Sequence, residues 1–302
     1  MLRKKILRKI YLTTFIIFIL FVISSFTINK NISNIKIEYH NPLSSVYLLN
    51  DDNHLLSVDV IVSTDIMKSI PIIIDNLKEN NNNYHGLKGI IPKDTKINDF
   101  KIENGILSID FSKELLNVNK DIEEKIIESL VYSLLSLKEI NGIKISIDKE
   151  PLKFLPNTNI MLDDILTKTF GINKEYDVNS LQNIKKVTVY YYEENNGNNY
   201  YVPVTKYLNS DDDKVKIIID NLKNNYLAET NLMSYLSDKI KIENYEYQDN
   251  LVTLSFDALS ELGPENIKEE VIYTLANSIF DSTEVTKVIF IENGNIVDIK
   301  IK

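Results

Sequence analysis

The seven residues IIIDNLK occur twice in this chain, at Ile72–Lys78 and at Ile217–Lys223, 145 residues apart. The same offset places KIENGILSIDF (Lys101–Phe111) over EYQDNLVTLSF (Glu246–Phe256). Both longer segments predict a strand, a two-residue turn and a second strand, because polar turn residues separate two runs with alternating apolar positions. The agreement in pattern as well as in spacing indicates an internal repeat.

The turns of the two hairpins differ in sequence but suit the same backbone geometry. Asn104-Gly105 is a strong signal for a two-residue turn, and Asp249-Asn250 stands at the same place in the second repeat. Because strand side chains alternate in direction, each hairpin is expected to have one apolar face, which Phe111 and Phe256 continue. The predicted cross-strand pairs are Ile102–Leu107, Phe100–Ile109, Tyr247–Val252 and Tyr245–Leu254.

The first repeat has the predicted element order β-β-α-β-β-α-β. The segments SVYLLN and HLLSVDVIV predict two strands. The helix with the repeated heptapeptide follows, with Ser69 as its N-cap and Pro71 in its first turn. After the hairpin, the remaining predicted elements are a helix over about 119–137, where apolar residues recur at three-and-four spacing, and a strand over Ile143–Ile147.

The second repeat reproduces this order. Val187–Leu208 predicts a hairpin that turns at Asn196-Gly197. Three aspartates, at positions 211–213, precede the repeated helix, where carboxylates complement the helix dipole; a cation site is the alternative interpretation. A helix from Pro264 and a last strand over Val288–Ile291 complete the repeat.

These patterns predict an α+β protein with two tandem domains, at residues 44–150 and 184–302, joined by a connector at residues 151–183. Each repeat has about 110 residues, which is enough for one hydrophobic core. The simplest way to bury both amphipathic helices is to place them on the apolar face of a single sheet in each domain. The connector contains Pro151, Pro156 and Gly171 and is expected to drape over the domains as a semi-ordered segment.

The composition excludes several kinds of site. The chain has no cysteine, so it has no disulfides, no thiolate catalysis and no cysteine-based zinc site. Its histidines, His40, His54 and His85, are far apart and have no metal-binding spacing, which favours exposed loop histidines. The net charge of −9 would repel a phosphate backbone and argues against nucleic-acid binding. No catalytic residue, cofactor or metal is predicted.

The N-terminus predicts a membrane anchor. A basic cluster in residues 1–9 precedes Ile10–Ile28, a run of 19 uncharged and mostly apolar residues. As a helix the run would span ~28 Å, close to the hydrocarbon thickness of a bilayer. The basic cluster predicts a cytoplasmic N-terminus, with the rest of the chain outside the cytoplasm. A cleaved signal peptide is the alternative, although the run is long for one and lacks a small-residue cleavage site.

Several of these stretches resemble the GerMN domain of sporulation and spore germination proteins. They are YYVPVTKYL (Tyr200–Leu208), KIENGILSIDFSKEL (Lys101–Leu115), the helix that ends in NLK, and VTKVIFIENG (Val285–Gly294). Two such domains in tandem cover nearly the whole chain beyond residue 44. The first repeat departs from the family pattern, because LLSVDVIV stands where the family has a strand similar to Val-Pro-Val-Thr.

The resemblance implies a fold similar to the ring-building motif of secretion-system proteins. It also implies a role in the space between mother cell and forespore, where the chain would support a trans-envelope assembly during spore development. Its implied partners are envelope proteins of a channel or ring complex, and homo-oligomerisation stays open. The lipoprotein cysteine of some relatives is missing, which places membrane attachment on Ile10–Ile28.

The residues favour a non-enzymatic scaffold over two other function classes. The sequence has no nucleophile elbow, no Gly-rich phosphate loop and no metal-ligand constellation. The first alternative is a cell-wall polymer-binding module or wall-processing accessory, in which Tyr190–Tyr192 and Tyr200–Tyr201 stack on glycan rings. A muralytic enzyme is the second alternative, since two carboxylates could flank a sugar.

A candidate interaction surface lies on the strand Val187–Tyr192. If its valines face the helices, alternation places Tyr190 and Tyr192 on the open sheet face, close to Tyr200 on the next strand. Tyrosine combines a large apolar area with a polar tip and is enriched at interfaces. Coverage of this face by the connector is the alternative.

Overall fold

The structure, a computed structural model, describes residues 42–79, 84, 86–223, 231–236, 242–257, 259 and 265–302. These residues all belong to one structural unit, Pro42–Lys302. The predicted basic segment at residues 1–9 and the predicted anchor Ile10–Ile28 lie outside the described residues, as do His40 and His85. Among the residues that the structure describes, no helix is long and apolar enough to cross a bilayer.

The predicted order β-β-α-β-β-α-β is present in both repeats, and the fold is α+β. The first repeat contains β1 (Leu43–Leu49), β2 (Leu55–Ile61), α1 (Ile66–Leu77), β3 (Ile97–Glu103), β4 (Ile106–Phe111), α2 (Lys120–Leu134), β5 (Gly142–Ile147) and β6 (Glu150–Pro151). After the short strand β7 (Glu175–Asp177), the second contains β8 (Ile184–Asn195), β9 (Asn198–Asn209), α3 (Lys214–Lys223), β10 (Leu232–Met233), β11 (Ile242–Gln248), β12 (Leu251–Phe256), α4 (Glu265–Ser282), β13 (Lys287–Glu292) and β14 (Asn295–Ile301).

The first hairpins of the two repeats join in a single sheet. Its strands follow the order β1-β2-β9-β8-β10, with β7 beside β9, and β2 meets β9 where Ser57 pairs with Tyr201. The expectation that all strands of a domain form one sheet is therefore wrong. The physical reason is that these strands are apolar on both faces. Val189 and Tyr190 point to opposite sides of β8, and both are buried.

The second hairpin of each repeat belongs to a four-stranded sheet within that repeat. The two sheets have the orders β3-β4-β5-β6 and β11-β12-β13-β14. All four predicted cross-strand pairs are confirmed. Asn104 and Asp249 both adopt a φ of +52°, the left-handed conformation for which their turn positions were identified. In each sheet a helix connects two parallel strands, β4 to β5 and β12 to β13.

One long strand was not predicted. After β13 the chain turns at Asn293 and Gly294, with φ values of +50° and +77°, and returns as β14 along the edge of the sheet. The sequence ENGN carries the same Asn-Gly turn signal that identified the other hairpins. The strand could therefore have been predicted from the sequence.

The connector is an ordered part of the core, so the expectation of a semi-ordered segment is wrong. Leu155, Leu166 and Ile172 are at most 3% exposed. Leu166 pairs with Ile143 of β5 through two backbone hydrogen bonds of 2.8 and 2.9 Å. Apolar residues spaced through the connector give it enough buried area to pack, despite its prolines and asparagines.

The starts of the two repeated helices differ from each other. The N-cap of α1 is Asp65 rather than Ser69, and Pro71 lies inside the helix rather than in its first turn. Ser69 is buried, and its hydroxyl donates to the backbone carbonyl of Asp65. For α3, the helix-start interpretation is confirmed, because the carboxylate of Asp213 accepts from two backbone N–H groups of the first turn at 2.9 and 3.1 Å.

Serines on the long helices form hydrogen bonds with backbone groups at the two edges of the shared sheet. Ser133 of α2 accepts a hydrogen bond from the backbone N–H of Tyr47 on β1 (2.9 Å), and Ser129 donates to the carbonyl of Tyr47 (2.7 Å). At the other end, Ser278 of α4 accepts from the N–H of Tyr190 on β8 (2.9 Å). The repeat thus places equivalent hydroxyls on strand groups that would otherwise be free to pair with another chain.

Replacing Ser133 with alanine should lower the free energy of unfolding by about 1–3 kcal/mol, because the buried N–H of Tyr47 loses its acceptor. Ser278→Ala should have a similar effect through Tyr190. Urea unfolding at neutral pH measures both. Ser108→Ala on β4, where the side chain is partly exposed, is the matched control and should stay within about 0.5 kcal/mol. Equal stability of all three variants would show that the hydroxyls of Ser133 and Ser278 do not stabilise the edges of the sheet.

Candidate functional site

The tyrosines predicted to form an interaction surface lie inside the protein. Tyr190 and Tyr192 are 3% and 6% exposed, and Tyr200 is half-buried. Helix α4 covers the face that was expected to be open, and its Tyr273 meets the ring of Tyr190 edge to face. The predicted placement of Tyr190 and Tyr192 on an open face is therefore wrong.

These rings contact one another within the core. Tyr192 meets both Tyr201 and Tyr235 edge to face, with ring centroids 5.1 Å apart in each pair. Tyr201 stacks on Tyr273 at 3.9 Å, and its hydroxyl donates to Glu270. Faces that are occupied by other side chains cannot stack on a glycan ring, so this cluster stabilises the second domain instead.

The joint between the two domains is centred on Asn173 of the connector, which is 4% exposed. Its amide group accepts from the N–H of Leu55 on β2 and donates to the carbonyl of the same residue, both at 2.9 Å. It also donates to the carbonyl of Pro203 on β9 at 2.9 Å. One side chain therefore binds a strand of each domain.

The position of Asn173 follows from the register of β2 and β9. Continuing the antiparallel ladder from the Ser57–Tyr201 pair would place Leu55 opposite Pro203. Proline has no N–H to donate, so the ladder cannot continue there. The asparagine amide supplies the missing donor and acceptor at this point. Asn173 adopts a φ of +47°, which asparagine tolerates better than most residues.

A buried carboxylate holds the connector from the first domain. Glu128 of α2, 2% exposed, accepts from the backbone N–H of Asn173 at 3.0 Å. The ammonium groups of Lys125 and Lys174 lie 3.5 and 3.8 Å from its oxygens. Burial raises the pKa of Glu128, and the two lysines oppose that shift. The lysines and the N–H group together allow a carboxylate at this buried position.

A second buried carboxylate links β8 to the loop between β1 and β2. Glu193 is 2% exposed; it accepts from the side-chain amide of Asn50 and lies 3.1 Å from Nδ1 of His54. His54 lies in a loop, as expected, but the expectation that it is exposed is wrong, since its side chain is 19% exposed and contacts the other domain. Asn50 and His54 therefore join the first domain to the second.

A third buried carboxylate lies where the connector meets α4. Asp281, whose side chain is 4% exposed, accepts from the ammonium of Lys168 through both oxygens at 3.0 Å and from the hydroxyl of Tyr190 at 2.6 Å. Burial and this carboxylate raise the pKa of Tyr190 well above its ordinary value, so the phenol stays protonated as a donor. The carbonyl of Lys168 accepts from Tyr132 of α2, which extends the network into the first domain.

The polar and charged groups of the joint hold the two domains together. Its three buried carboxylates are held by lysine, amide, hydroxyl and histidine groups from both domains or from the connector. Within the described part of the chain, no three acidic or histidine side chains are grouped so as to hold a metal ion. The arrangement fixes the two domains in one relative position.

Sequence reasoning missed the residues of this joint. Asn173, Glu128 and Asp281 stand in ordinary loop and helix contexts, and their partners on other elements are 30 or more residues away. Pro203 gave a partial signal, because a proline inside an apolar strand marks a gap in the ladder.

The second domain has an open apolar sheet face. On β13, Val288 and Phe290 are fully buried, and the alternate residues turn outward. The outward residues pair across the sheet as Ile289–Ile299 and Ile291–Ile296. Three isoleucines of β14 are 61%, 41% and 75% exposed. The isoleucine face consists of Ile289, Ile291, Ile296, Ile299 and Ile301.

The first domain lacks this apolar face. The offset of 145 residues places Lys144 and Ser146 of β5 at the positions of Ile289 and Ile291. Both repeats keep apolar residues on the inner side of the sheet, so the difference is confined to the outer side. A contiguous exposed apolar surface is typical of a docking site.

Comparison with known proteins identifies relatives of the chain. The profile of a family described as "Germane: Sporulation and spore germination" matches residues 45–153 and 188–298. The spore germination protein GerM of Bacillus subtilis (strain 168) is 30% identical over 217 residues, which is 70% of this chain and 59% of that protein. The chain thus spans less than two thirds of the length of this curated relative.

A solved structure has the same fold. The tandem GerMN domains of the sporulation protein GerM from Bacillus subtilis match with a TM-score of 0.71 and 24% sequence identity. The match covers 84% of this chain and 92% of that one. The chain therefore has the architecture of tandem GerMN-like domains.

Replacing Asn173 with alanine should lower the free energy of unfolding by about 3–5 kcal/mol, because the N–H of Leu55 and two buried carbonyls lose their partner. Chemical denaturation measures the change. Asn159→Ala is the matched control, since Asn159 also has a positive φ (+57°) but is exposed. The control reports the backbone cost alone. If both variants lose equal stability, the amide contacts do not hold the joint.

Proposed function

Because the chain belongs to the Germane family of sporulation and spore germination proteins, we propose that it is a membrane-anchored, non-enzymatic component of a trans-envelope assembly between mother cell and forespore. Family membership gives the chain a sporulation-related role. The anchor, the assembly and the absence of catalysis are the proposed part. In this role the chain would present its two domains to envelope proteins of a channel or ring complex.

The observation that carries the proposal is the exposed isoleucine face, on a protein whose two domains are held in one relative position by buried contacts. An assembly component must hold its docking surface in a defined position. The buried contacts of Asn173, Glu193 and Asp281 provide that rigidity. The isoleucine face supplies an apolar surface whose burial against a partner would be favourable at about 25 cal/mol per Å².

Membrane attachment through Ile10–Ile28 is supported by the sequence of that segment. Its 19 uncharged residues follow a basic cluster, the arrangement expected for a single-pass anchor with a cytoplasmic N-terminus. The bulk of the chain would then lie outside the cytoplasm, in the intermembrane space during sporulation. A homo-oligomer formed by ring-building-type domains is compatible with this arrangement.

The cell-wall alternative loses its original support. Tyr190 and Tyr192, whose rings were expected to stack on glycans, are buried. A wall-binding role would need another surface. A muralytic activity would need two carboxylates beside an open groove. The three carboxylates of the joint are instead buried, and they are paired with lysine or histidine side chains.

Charges on the isoleucine face should abolish docking without unfolding the protein. In sporulating cells, a fluorescent fusion of the full chain should concentrate at the boundary between mother cell and forespore, and Ile296→Lys with Ile299→Lys should disperse it. Ser108→Lys, on the outer side of the first domain, is the matched control and should localise normally. Normal localisation of the double variant, with an unchanged melting temperature, would refute docking through this face.

The anchor has its own test. The full chain should stay with membranes after a high-salt wash, whereas a chain without residues 1–30 should be recovered in the soluble fraction, because the only long apolar run of the sequence is removed. Fractionation followed by N-terminal sequencing measures both. A mature chain that begins near Ser25 in the soluble fraction would show cleavage instead of anchoring.

A further inference from the structure

A cleft of about 860 Å³ opens between the two domains, and lysines dominate its charge. The lining comes from the segment after α2, the connector, the start of β8 and of α3, the C-terminal end of α4, and the last two residues of the sequence. Two acids, Asp281 and Glu284, face five lysines, which are Lys138, Lys168, Lys186, Lys214 and Lys302. The whole chain has a net charge of −9, so this cleft is a positively charged site on an acidic protein.

The acids of the cleft do not balance its lysines. Asp281 is already bound by Lys168 through both oxygens and by the hydroxyl of Tyr190. Glu284 is then the remaining acidic side chain in the lining for the other four lysines. Lys186 and Lys214 form no ion pair with any carboxylate that the structure describes. The ammonium groups of Lys186 and Lys214 are therefore not neutralised by a direct ion pair with the described residues.

The present contacts of these lysines leave donors free. Lys186 donates to the carbonyl of Thr169, and Lys214 donates to the carbonyl of Ser282 at the end of α4 (2.7 Å). An ammonium group has three N–H donors, so each of the two can also bind an anion. Burial lowers the pKa of Lys186, the charges of Lys174 and Lys214 lower it further, and the charge of Asp163 opposes this shift. An anion in the cleft would relieve that repulsion.

Neutral polar groups make up much of the remaining lining. Hydroxyl and amide side chains also line the cleft; they include Thr167, Thr169, Thr283, Asn141 and Asn277. Such groups both donate and accept hydrogen bonds, which suits the hydroxyls of a sugar. The volume lies in the range of sites that bind small molecules.

We propose that this cleft binds an anionic saccharide, a sugar with a phosphate or carboxylate group. The ammonium groups of Lys186 and Lys214 hold the anion, and the hydroxyl and amide groups hold the sugar ring. Both domains and the connector contribute to the lining, so the site exists only when the joint is formed. The proposal does not require docking through the isoleucine face, although Ile301 belongs to that face and also lines the cleft.

Saturation-transfer NMR on the purified full chain in mild detergent tests this site. The probes are glucose 6-phosphate, glucuronate and neutral glucose, with inorganic phosphate as a competitor. At least one anionic sugar should bind more tightly than glucose and than phosphate alone, and the better probe identifies the anionic group. The Lys186→Gln, Lys214→Gln variant should weaken binding about tenfold or more, since a charge-assisted contact is lost.

Two further variants distinguish the effect of losing positive charge in the cleft from an effect on folding. Lys186→Arg with Lys214→Arg keeps both charges and should keep binding. Lys216→Gln, on the exposed side of α3 and outside the cleft, should have no effect. The proposal fails if no anionic sugar binds, or if glucose or inorganic phosphate binds equally well. It also fails if the glutamine variant, with an unchanged melting temperature, binds as tightly as the original chain.

Discussion

The antiparallel pairing of β2 with β9 is the interaction on which the arrangement of the two domains depends, and the side chain of Asn173 completes it. The ladder that begins at Ser57 and Tyr201 stops at Pro203, because proline has no N–H. The amide of Asn173 then binds Leu55 and Pro203 in place of the missing ladder bonds. Without this bridge, the gap would leave buried carbonyls without donors, which is costly inside a protein.

The buried acids around this bridge contribute specificity more than stability. A buried ion pair often stabilises a fold no better than apolar residues would, since removing charges from water is costly. Glu128, Glu193 and Asp281 each need donors at defined positions, and those donors come from different elements. A shifted arrangement of the domains would leave one of these carboxylates unsatisfied. The network therefore favours the observed arrangement over alternatives in which these donors and acceptors do not meet.

Local signals predicted much of this fold. The repeated heptapeptide, the Asn-Gly and Asp-Asn turns and the helical spacing gave the element order and the register of two hairpins. They could not predict which strands share a sheet, because alternation does not show which face of β8 is open when both faces are apolar. For that reason the alternation wrongly predicts that Tyr190 and Tyr192 lie on an open face. The amide contacts of Asn173 depend on chain segments that meet only in the folded protein, so no local pattern indicates them.

The differences between the repeats are more informative about function than their similarities. The inner side of each sheet must pack against helices, so both repeats keep apolar residues there, such as Phe111 and Phe256. The outer side carries no such requirement, and the fold accepts Lys144 and Ser146 in one repeat and Ile289 and Ile291 in the other. Exposed isoleucines add less to the stability of the isolated chain than buried ones do, and they favour association. Their presence on one domain alone therefore points to a contact that only the second domain makes, while the lysine cleft requires both.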